Sequence, residues 1–277
     1  MRIACRSVLL TIALVIGLLA SAGVGQADDI AWKAAHDPDP HLPLTFEQLE
    51  MTAMKRAAEV PPMAFAWTPI GGAAQLSECG PTCSGGGSYP SGASLVANQK
   101  AQTTSYYCGP AAVHEALDAL GVWLTQAAAA AELHTTTDGT AWSGGGTSPS
   151  GYPVPDVLNA HQSRNYYVPQ SITSPSANAI NSYETDLQMD IWALRVPLIG
   201  DAWETKYSEY HLVGHPTDRT IFHWFEIRGY QGYGAMTMYE DSVHDAKTVS
   251  WYASVPAYST MSSSAVTSII SGRGYAW

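Results

Sequence analysis

Charged residues are scarce in this sequence of 277 amino acids, and basic residues are the scarcer kind. Asp, Glu, Lys and Arg make up 13% of the chain, where roughly a quarter is typical of soluble domains. The chain has 13 Lys and Arg against 24 Asp and Glu, which gives a formal charge of −11. Nucleic-acid binding depends on patches of Lys and Arg that neutralise phosphates. The sequence has no such patch, so we expect no nucleic-acid partner.

Long apolar runs are also lacking, except for one at the N-terminus. Arg2 and Arg6 precede a nearly unbroken apolar run over residues 8–20, and Gly25-Gln26-Ala27 resembles a cleavage site. This pattern predicts a signal peptide over residues 1–27 and a secreted, extracellular protein. The alternative is a transmembrane helix, because residues 7–24 are just long enough to span a bilayer. Removal of the segment changes the formal charge from −11 to −13, because it carries two Arg and no acidic residue. We expect no membrane association after cleavage.

Cysteine is rare, and the count is informative. Of the four cysteines, Cys5 is lost with the signal peptide. Cys79 and Cys83 lie four residues apart in a Gly/Ser-rich stretch and could close a small loop by a disulfide. Cys108 is then left over. An odd cysteine in a secreted protein indicates either an intermolecular bridge or a free, reactive thiol.

The chain before residue 96 differs in composition from the chain after it. Thr45-Phe46-Glu47-Gln48 is a capping-box pattern that predicts a helix up to about Ala58. Residues 68–95 are rich in Gly and Pro and are interpreted as a loop or linker. We therefore predict an N-terminal extension or pro-region over residues 28–95 and a catalytic domain over residues 96–277. The alternative is that the extension packs permanently on the domain as a structural arm.

Within residues 96–277 the pattern predicts helices first and strands later. Helices are expected over 110–120, 124–133, 154–161 and 183–192. Strands are expected over 195–201, 223–230 and 235–239, the last two joined by a turn over 231–234. This order predicts an α+β fold in which N-terminal helices pack on a C-terminal antiparallel sheet.

The chemistry is centred on Cys108, which is followed by Gly109 and Pro110 at the predicted start of a helix. The free N–H groups and the dipole at a helix N-terminus favour a thiolate over a thiol. Gly109 would let a substrate approach the backbone closely. The alternative interpretation is a buried, inert cysteine that begins a packed helix.

A thiol nucleophile needs a base within hydrogen-bond reach, and His223 opens a predicted strand. Asp241 follows 18 residues later, after the predicted hairpin. Because a hairpin returns the chain, Asp241 could lie beside His223, fix the tautomer of its ring and stabilise the imidazolium. A lone histidine at a strand start is more often structural, so the assignment of His223 as a base depends on its combination with Cys108 and Asp241.

Together these residues resemble the papain-like peptidases of cysteine peptidase family 39, over about residues 101–244. That family has a Gln six residues before a Cys-Gly pair, and Gln102 and Cys108 have this spacing. It also has a His that opens a strand, a Gly-Tyr turn and an Asp, which correspond here to His223, Gly229-Tyr230 and Asp241. The resemblance implies a papain-like fold. It also implies that Gln102 supplies a side-chain donor to the oxyanion, with the Cys108 amide as the second donor.

Two features limit the resemblance. No transporter domain follows the matched region in this sequence, so processing of double-glycine leaders is not expected. Cys79-Gly80-Pro81 is a second Cys-Gly-Pro triplet, but Ala73 stands six residues before it and no helical pattern follows. We interpret it as non-catalytic.

The sequence therefore predicts a secreted cysteine peptidase that hydrolyses a peptide or amide bond of a peptide or protein substrate, without a cofactor. An acyl transferase on the same residues and an inactive papain-like binding module are the alternatives. His211 and His215 have the spacing of zinc ligands on a helix. The residues between them and Pro216 do not favour a helix, so no metal is expected.

Overall fold

The computed structural model of the chain describes residues 24–37, 39, 41–58, 66–70, 73–77, 89–96, 98–144 and 148–277. Its helices are α1 (Val24–His36), α2 (Phe46–Ala58), α3 (Cys108–Ala119), α4 (Gln126–Glu132), α5 (Pro153–His161), α6 (Ala177–Gln188) and α7 (Ser263–Ile269). A π-helical turn (Met189–Leu194) continues α6, and a 3₁₀ turn covers Tyr252–Ser254. The strands are β1 (Ala66–Ile70), β2 (Ala73–Ser77), β3 (Gly92–Ser94), β4 (Pro169–Ser171), β5 (Leu198–Glu204), β6 (Ile221–Gln231), β7 (Met236–Glu240), β8 (Tyr258–Ser262) and β9 (Gly274–Ala276).

Seven of these strands form one antiparallel sheet. Their order is β4-β9-β5-β6-β7-β8, and β3 pairs with the end of β6. The strands β1 and β2 form a separate antiparallel pair. The predicted α+β class and the predicted antiparallel sheet are therefore confirmed.

The sheet is covered on both faces, because neighbouring residues along a strand belong to different cores. Trp224 packs with side chains of α3, α4 and α5, whereas Phe225 packs with side chains of α6 and α7. On β5, Ile199 packs in the same core as Trp224, and Leu198 packs in the same core as Phe225. This alternation is the period of two that a strand imposes on its side chains. The strands that carry the site are therefore held between two apolar layers.

Local capping and turn signals explain which sequence predictions succeed. At α2 the Thr45 N–H donates to Gln48 Oε1 (2.9 Å) and the Gln48 N–H donates to Thr45 Oγ1 (3.2 Å), so the predicted capping box is formed. Helix α3 ends before Gly121, whose φ of +78° is the left-handed conformation that suits glycine. The predicted hairpin of β6 and β7 is also present.

Some predicted boundaries are wrong, for identifiable reasons. Helix α6 begins six residues before the predicted position, where the Ser176 hydroxyl caps it by accepting from the Ala179 N–H (3.2 Å). Strand β5 begins at Leu198 rather than at Arg195, because Arg195 is left-handed (φ +58°) and Pro197 follows it. Part of the predicted linker forms β1, β2 and β3. The Gly71-Gly72 pair between β1 and β2 is a sequence signal of a tight hairpin.

The first two helices pack against the rest of the chain through buried polar contacts. Lys55 of α2 lies 3.3 Å from Asp190 Oδ1 and donates to Asn165 Oδ1 (3.1 Å). Lys33 of α1 is 2% exposed and donates to Ser271 Oγ (3.3 Å). Strand β3, which also precedes residue 96, belongs to the main sheet. The choice between a removable pro-region and a permanent extension for residues 28–95 stays open.

Two other predictions from the sequence fall largely or wholly outside the described residues. They are the signal peptide, of which only residues 24–27 are described, and the pairing of Cys79 with Cys83. None of the helices in the described part of the chain has both the length and the apolar character that a membrane crossing requires.

Candidate active site

Cys108 is the first residue of α3, as the sequence predicts. Pro110 fits the first helical turn, where its missing N–H is not needed. Gly109 is required here, because a Cβ at this position would collide with the side chain of Thr140. The preceding residue, Tyr107, gives no side-chain cap to the helix. The backbone N–H groups of the first turn can therefore interact with the thiol.

The surroundings of Cys108 favour its thiolate. Burial alone would raise the pKa of the thiol, but the hydrogen bond and positive charge of His223 outweigh it, and the amides of Gly109 and Trp224 add to this effect. As a result, the pKa of Cys108 lies below its ordinary value of 9.0. Among the described residues Cys108 is the free cysteine. A lowered pKa distinguishes a nucleophilic cysteine from an inert buried one.

The hairpin of β6 and β7 brings His223 and Asp241 together. Glu226, in the middle of β6, pairs with Glu240 at the end of β7, so Asp241 follows β7 on the side toward His223. The His223 Nε2 atom lies 3.1 Å from Asp241 Oδ1, in an ion-pair contact whose N–H direction is not well aligned with the oxygen. Both side chains are buried. The His223 ring also has a side-chain hydrogen bond with Cys108, for which Nδ1 is the nitrogen that Asp241 leaves free.

These contacts stabilise charges of alternating sign. Burial would lower the pKa of His223, but the charge and contact of Asp241 and of Cys108 hold it well above 6.5. Burial would raise the pKa of Asp241, but His223 and His215 hold it far below 3.8. The site therefore favours a thiolate, an imidazolium and a carboxylate in sequence.

Gln102 is buried in the segment that leads to α3. Its Nε2 donates to the Thr104 carbonyl (2.7 Å), and its Oε1 accepts from the Ser242 hydroxyl (3.2 Å). The Gln102 N–H also donates to the Ser242 carbonyl (2.8 Å). The two consecutive residues Asp241 and Ser242 thus contact both predicted residues: Asp241 contacts His223, and Ser242 contacts Gln102. One N–H of the Gln102 amide remains available to a further acceptor.

Two residues without an assigned role in the sequence prediction extend this chain of contacts. His215 Nε2 lies 2.9 Å from Asp241 Oδ2, and His215 Nδ1 lies 2.9 Å from Glu204 Oε2. The only sequence signal for His215 was its spacing from His211, which suggested zinc. Glu204 ends a buried strand and carried no signal.

A metal ion is an alternative to this series of hydrogen bonds, because His215, His223 and Asp241 offer ligand atoms within 4.8 Å of one another. Each Nε2 atom, however, faces its own oxygen of Asp241 at 2.9 or 3.1 Å, which is hydrogen-bond distance. The second nitrogen of each ring also has its own partner, Glu204 or Cys108. Each ring nitrogen thus already has a protein partner, so we assign no metal to them.

Residues of the N-terminal extension lie close to this site. The backbone N–H of Trp142 donates to Asp39 Oδ2 (2.8 Å), and the Trp142 ring stacks on that of Trp224, the neighbour of His223 (ring centroids 5.8 Å apart). The charges of both Asp39 and Cys108 contribute to raising the pKa of buried Asp201, after burial itself. The Cys108 side chain is 8% exposed and that of His223 is 3% exposed. The reactive groups are therefore shielded in this structure.

No protein-family model matches this chain, and neither a curated protein nor a solved structure matches it. The function must therefore be argued from the chemistry of the site.

Proposed function

We propose that the protein is a secreted cysteine hydrolase of papain-like fold that cleaves a peptide or other amide bond. Cys108 is the nucleophile, His223 is the acid and base, and Asp241 orients His223. The observation that carries this proposal is the buried contact series from the Cys108 thiol at a helix N-terminus, through His223, to Asp241. A nucleophile, a base in contact with it and a third group that orients the base form the arrangement used in covalent acyl transfer.

The reaction follows from these positions. The Cys108 thiolate attacks the carbonyl carbon, and the oxyanion that forms is held by the Cys108 backbone N–H and the Gln102 amide. His223 gives its proton to the leaving amine as the carbon–nitrogen bond breaks, which leaves a thioester on Cys108. Water then attacks the thioester, His223 takes the proton of the water, and the acid product leaves as the thiolate is restored. The acyl transferase alternative differs only in this last step, where an amine replaces water.

The experiment that tests the function is incubation of the purified protein with unfolded protein and with a peptide library, followed by mass spectrometry of the products. We expect new carboxyl termini that are absent after treatment with iodoacetamide, and peptide mapping should find the label on Cys108. Preferential labelling of Cys79 or Cys83 in the native protein would contradict the proposal. Products with and without an added amine distinguish hydrolysis from acyl transfer.

The pH dependence of turnover follows from the directions of two pKa shifts. The pKa of Cys108 is shifted down from 9.0 and that of His223 is shifted up from 6.5, and both shifts favour a thiolate–imidazolium pair, which requires that the Cys108 pKa lie below the His223 pKa. We expect kcat/KM to rise with pH as Cys108 loses its proton and to fall at higher pH as His223 loses its proton. The ultraviolet absorbance of the thiolate is measured as the difference between the wild type and Cys108→Ala. It should rise over the same pH range as the acid limb of kcat/KM. A thiolate that forms only near the ordinary thiol pKa would contradict the ion pair.

Gln102→Ala tests the oxyanion donor. We expect the variant to keep its fold and its rate of Cys108 alkylation, while kcat falls by roughly two to three orders of magnitude, the usual effect of one lost oxyanion donor. Gln99→Ala is a suitable control, because Gln99 also donates to this region, at the Asp241 carbonyl (3.0 Å), without being a predicted oxyanion donor. An unchanged kcat in Gln102→Ala would mean that the hydrogen bonds to Thr104 and Ser242 are its whole role.

A further inference from the structure

His215 lies in the loop between β5 and β6, and its ring joins two carboxylates. The side chain is fully buried, with Asp241 Oδ2 2.9 Å from Nε2 and Glu204 Oε2 2.9 Å from Nδ1. Carboxylates can only accept hydrogen bonds when ionised, so both ring nitrogens donate. Burial would lower the pKa of His215, but the charges of Glu204 and Asp241 raise it above 6.5. His215 is thus held as an imidazolium.

The Asp241 carboxylate is fixed mainly by groups other than His223. Oδ1 accepts from the Val243 N–H (2.9 Å), and Oδ2 accepts from His215 Nε2 (2.9 Å). The 3.1 Å contact of Oδ1 with His223 is the less well aligned of the three. A carboxylate with a donor on each oxygen cannot turn about its bond to the chain without breaking one of them. The rotation that presents Oδ1 to His223 is therefore set from the opposite side, by His215.

Glu204 and the loop hold His215 in this place. Glu204 Oε1 accepts from the Leu212 N–H (2.7 Å), and the His215 ring packs edge-on against Trp251 (ring centroids 4.5 Å apart). Gly214 has φ +86°, and a Cβ there would collide with the Ser254 carbonyl. The loop thus adopts a conformation that glycine permits and that places His215 between its two partners.

We propose that His215, held in place by Glu204, is a positioning residue that fixes the Asp241 carboxylate for His223 in the proposed hydrolase. This inference rests on the proposed function of Cys108, His223 and Asp241. It adds two residues to that site and gives the buried Glu204 a role. Through Asp241 and His223, the effect of His215 reaches the thiol.

Other charged and titratable groups surround this series and act on it as well. They are Cys108 and Glu115 on α3, Asp201 on β5, Glu240 on β7, Tyr239 on β7 and His211 in the loop. His211 lies 3.4 Å from Glu204 Oε2, farther than His215. Because these groups remain in every variant below, a change in pH dependence reports on His215 and its partners.

The test measures the rate of Cys108 alkylation by iodoacetamide across pH, together with kcat and KM, in the full-length protein. In His215→Ala the Asp241 carboxylate loses its partner on Oδ2, its hold on His223 weakens, and the thiolate loses stabilisation. We expect the pH at which the thiolate forms to rise by about one unit and kcat on the acid limb to fall about tenfold, since one unit corresponds to a factor of ten. KM should stay unchanged, because the His215 side chain is fully buried between Glu204 and Asp241.

Three further variants separate positioning from folding. His215→Gln can place an amide N–H near the position of Nε2, so it should restore part of the wild-type pH dependence. In Glu204→Gln the pH at which the thiolate forms should lie between the values for the wild type and for His215→Ala. His161→Ala is the matched control, because His161 contacts Glu132 (2.7 Å) in a histidine–carboxylate pair at the surface; its pH dependence should match the wild type.

Rates are compared per reactive thiol, as counted by titration, so that misfolded protein does not contribute. A pH dependence of alkylation that is the same in His215→Ala and the wild type would overturn the positioning role. A change in the pH dependence of Cys108 alkylation after the wild type is treated with a metal chelator would also overturn it, because the ring nitrogens would then be metal ligands. If instead the wild-type thiolate forms only near the ordinary thiol pKa, the proposed function itself fails, and the two failures are thereby distinguished.

Discussion

Replacement of Cys108 or His223 by alanine is expected to remove nearly all turnover, by roughly four to six orders of magnitude in kcat. In the proposed mechanism Cys108 supplies the bond-forming sulfur, and His223 supplies the proton without which the amine cannot leave. The two act as a unit, so the double variant Cys108→Ala/His223→Ala should be no slower than either single variant. Additive losses would mean that the two residues act independently.

Asp241→Asn should be less severe, because an orienting group is partly dispensable. It should also move the alkaline limb of kcat/KM to lower pH, since the amide carries no charge to hold the His223 imidazolium. His114→Ala provides the buried control: His114 lies on the same helix as Cys108, and its ring nitrogen contacts the Leu124 carbonyl (2.6 Å). Its turnover per titrated thiol should match the wild type even if its melting temperature falls. Full activity in His223→Ala would rule out the assignment of the base.

The parts of the site that could be predicted from the sequence are those that depend on local structure. A cysteine before Gly109 and Pro110 begins a helix because of the residues around it. His223 and Asp241 meet because a hairpin returns the chain, and a register shift between Ile227 and Gly229 also sets which residues stand opposite each other. Each of these relations spans few residues, so a local pattern carries it.

The contribution of His215 and Glu204 could not be predicted in that way. Residues 205–220 have neither helical nor strand periodicity, so their path depends on distant contacts such as that of Gly214 with Ser254. The spacing of His211 and His215 suggested zinc, whereas only His215 reaches Asp241. The papain-like fold and the role of Gln102 as an oxyanion donor stay predictions, because they concern similarity and substrate rather than local structure.

Separation of the N-terminal extension from the rest of the chain is expected to destabilise the protein severely. Lys55 of α2 lies against Asp190 and also over the Trp277 ring, 4.2 Å from its centroid. Arg56 makes a second contact with a buried carboxylate, at Asp186 (3.0 Å). The partners of Lys55 and Arg56 belong to residues 96–277 and are buried. Removal of one member of a buried ion pair costs about 3–5 kcal/mol, because the other charge is left without compensation.

Residues 96–277 expressed alone should therefore be poorly soluble or unfolded. The sharper measurement uses the full chain with Lys55→Ala, for which a loss of about 3–5 kcal/mol corresponds to a fall in melting temperature of roughly 10 °C. Lys247→Ala changes an exposed lysine and should leave the melting temperature unchanged.

The double variant Lys55→Met/Asp190→Asn should recover part of the loss, since it removes both charges and not only one of them. Such a recovery would show that the ion pair, and not the volume of the lysine, ties α2 to the domain, and it would favour a permanent structural arm. The opposite result is equally informative. A stable and active 96–277 fragment, with Lys55→Ala unchanged in melting temperature, would mean that α1 and α2 only cover the domain. Because Asp39 lies against Trp142 next to the site, such a cover could be released after secretion, and the extension would then be a pro-region.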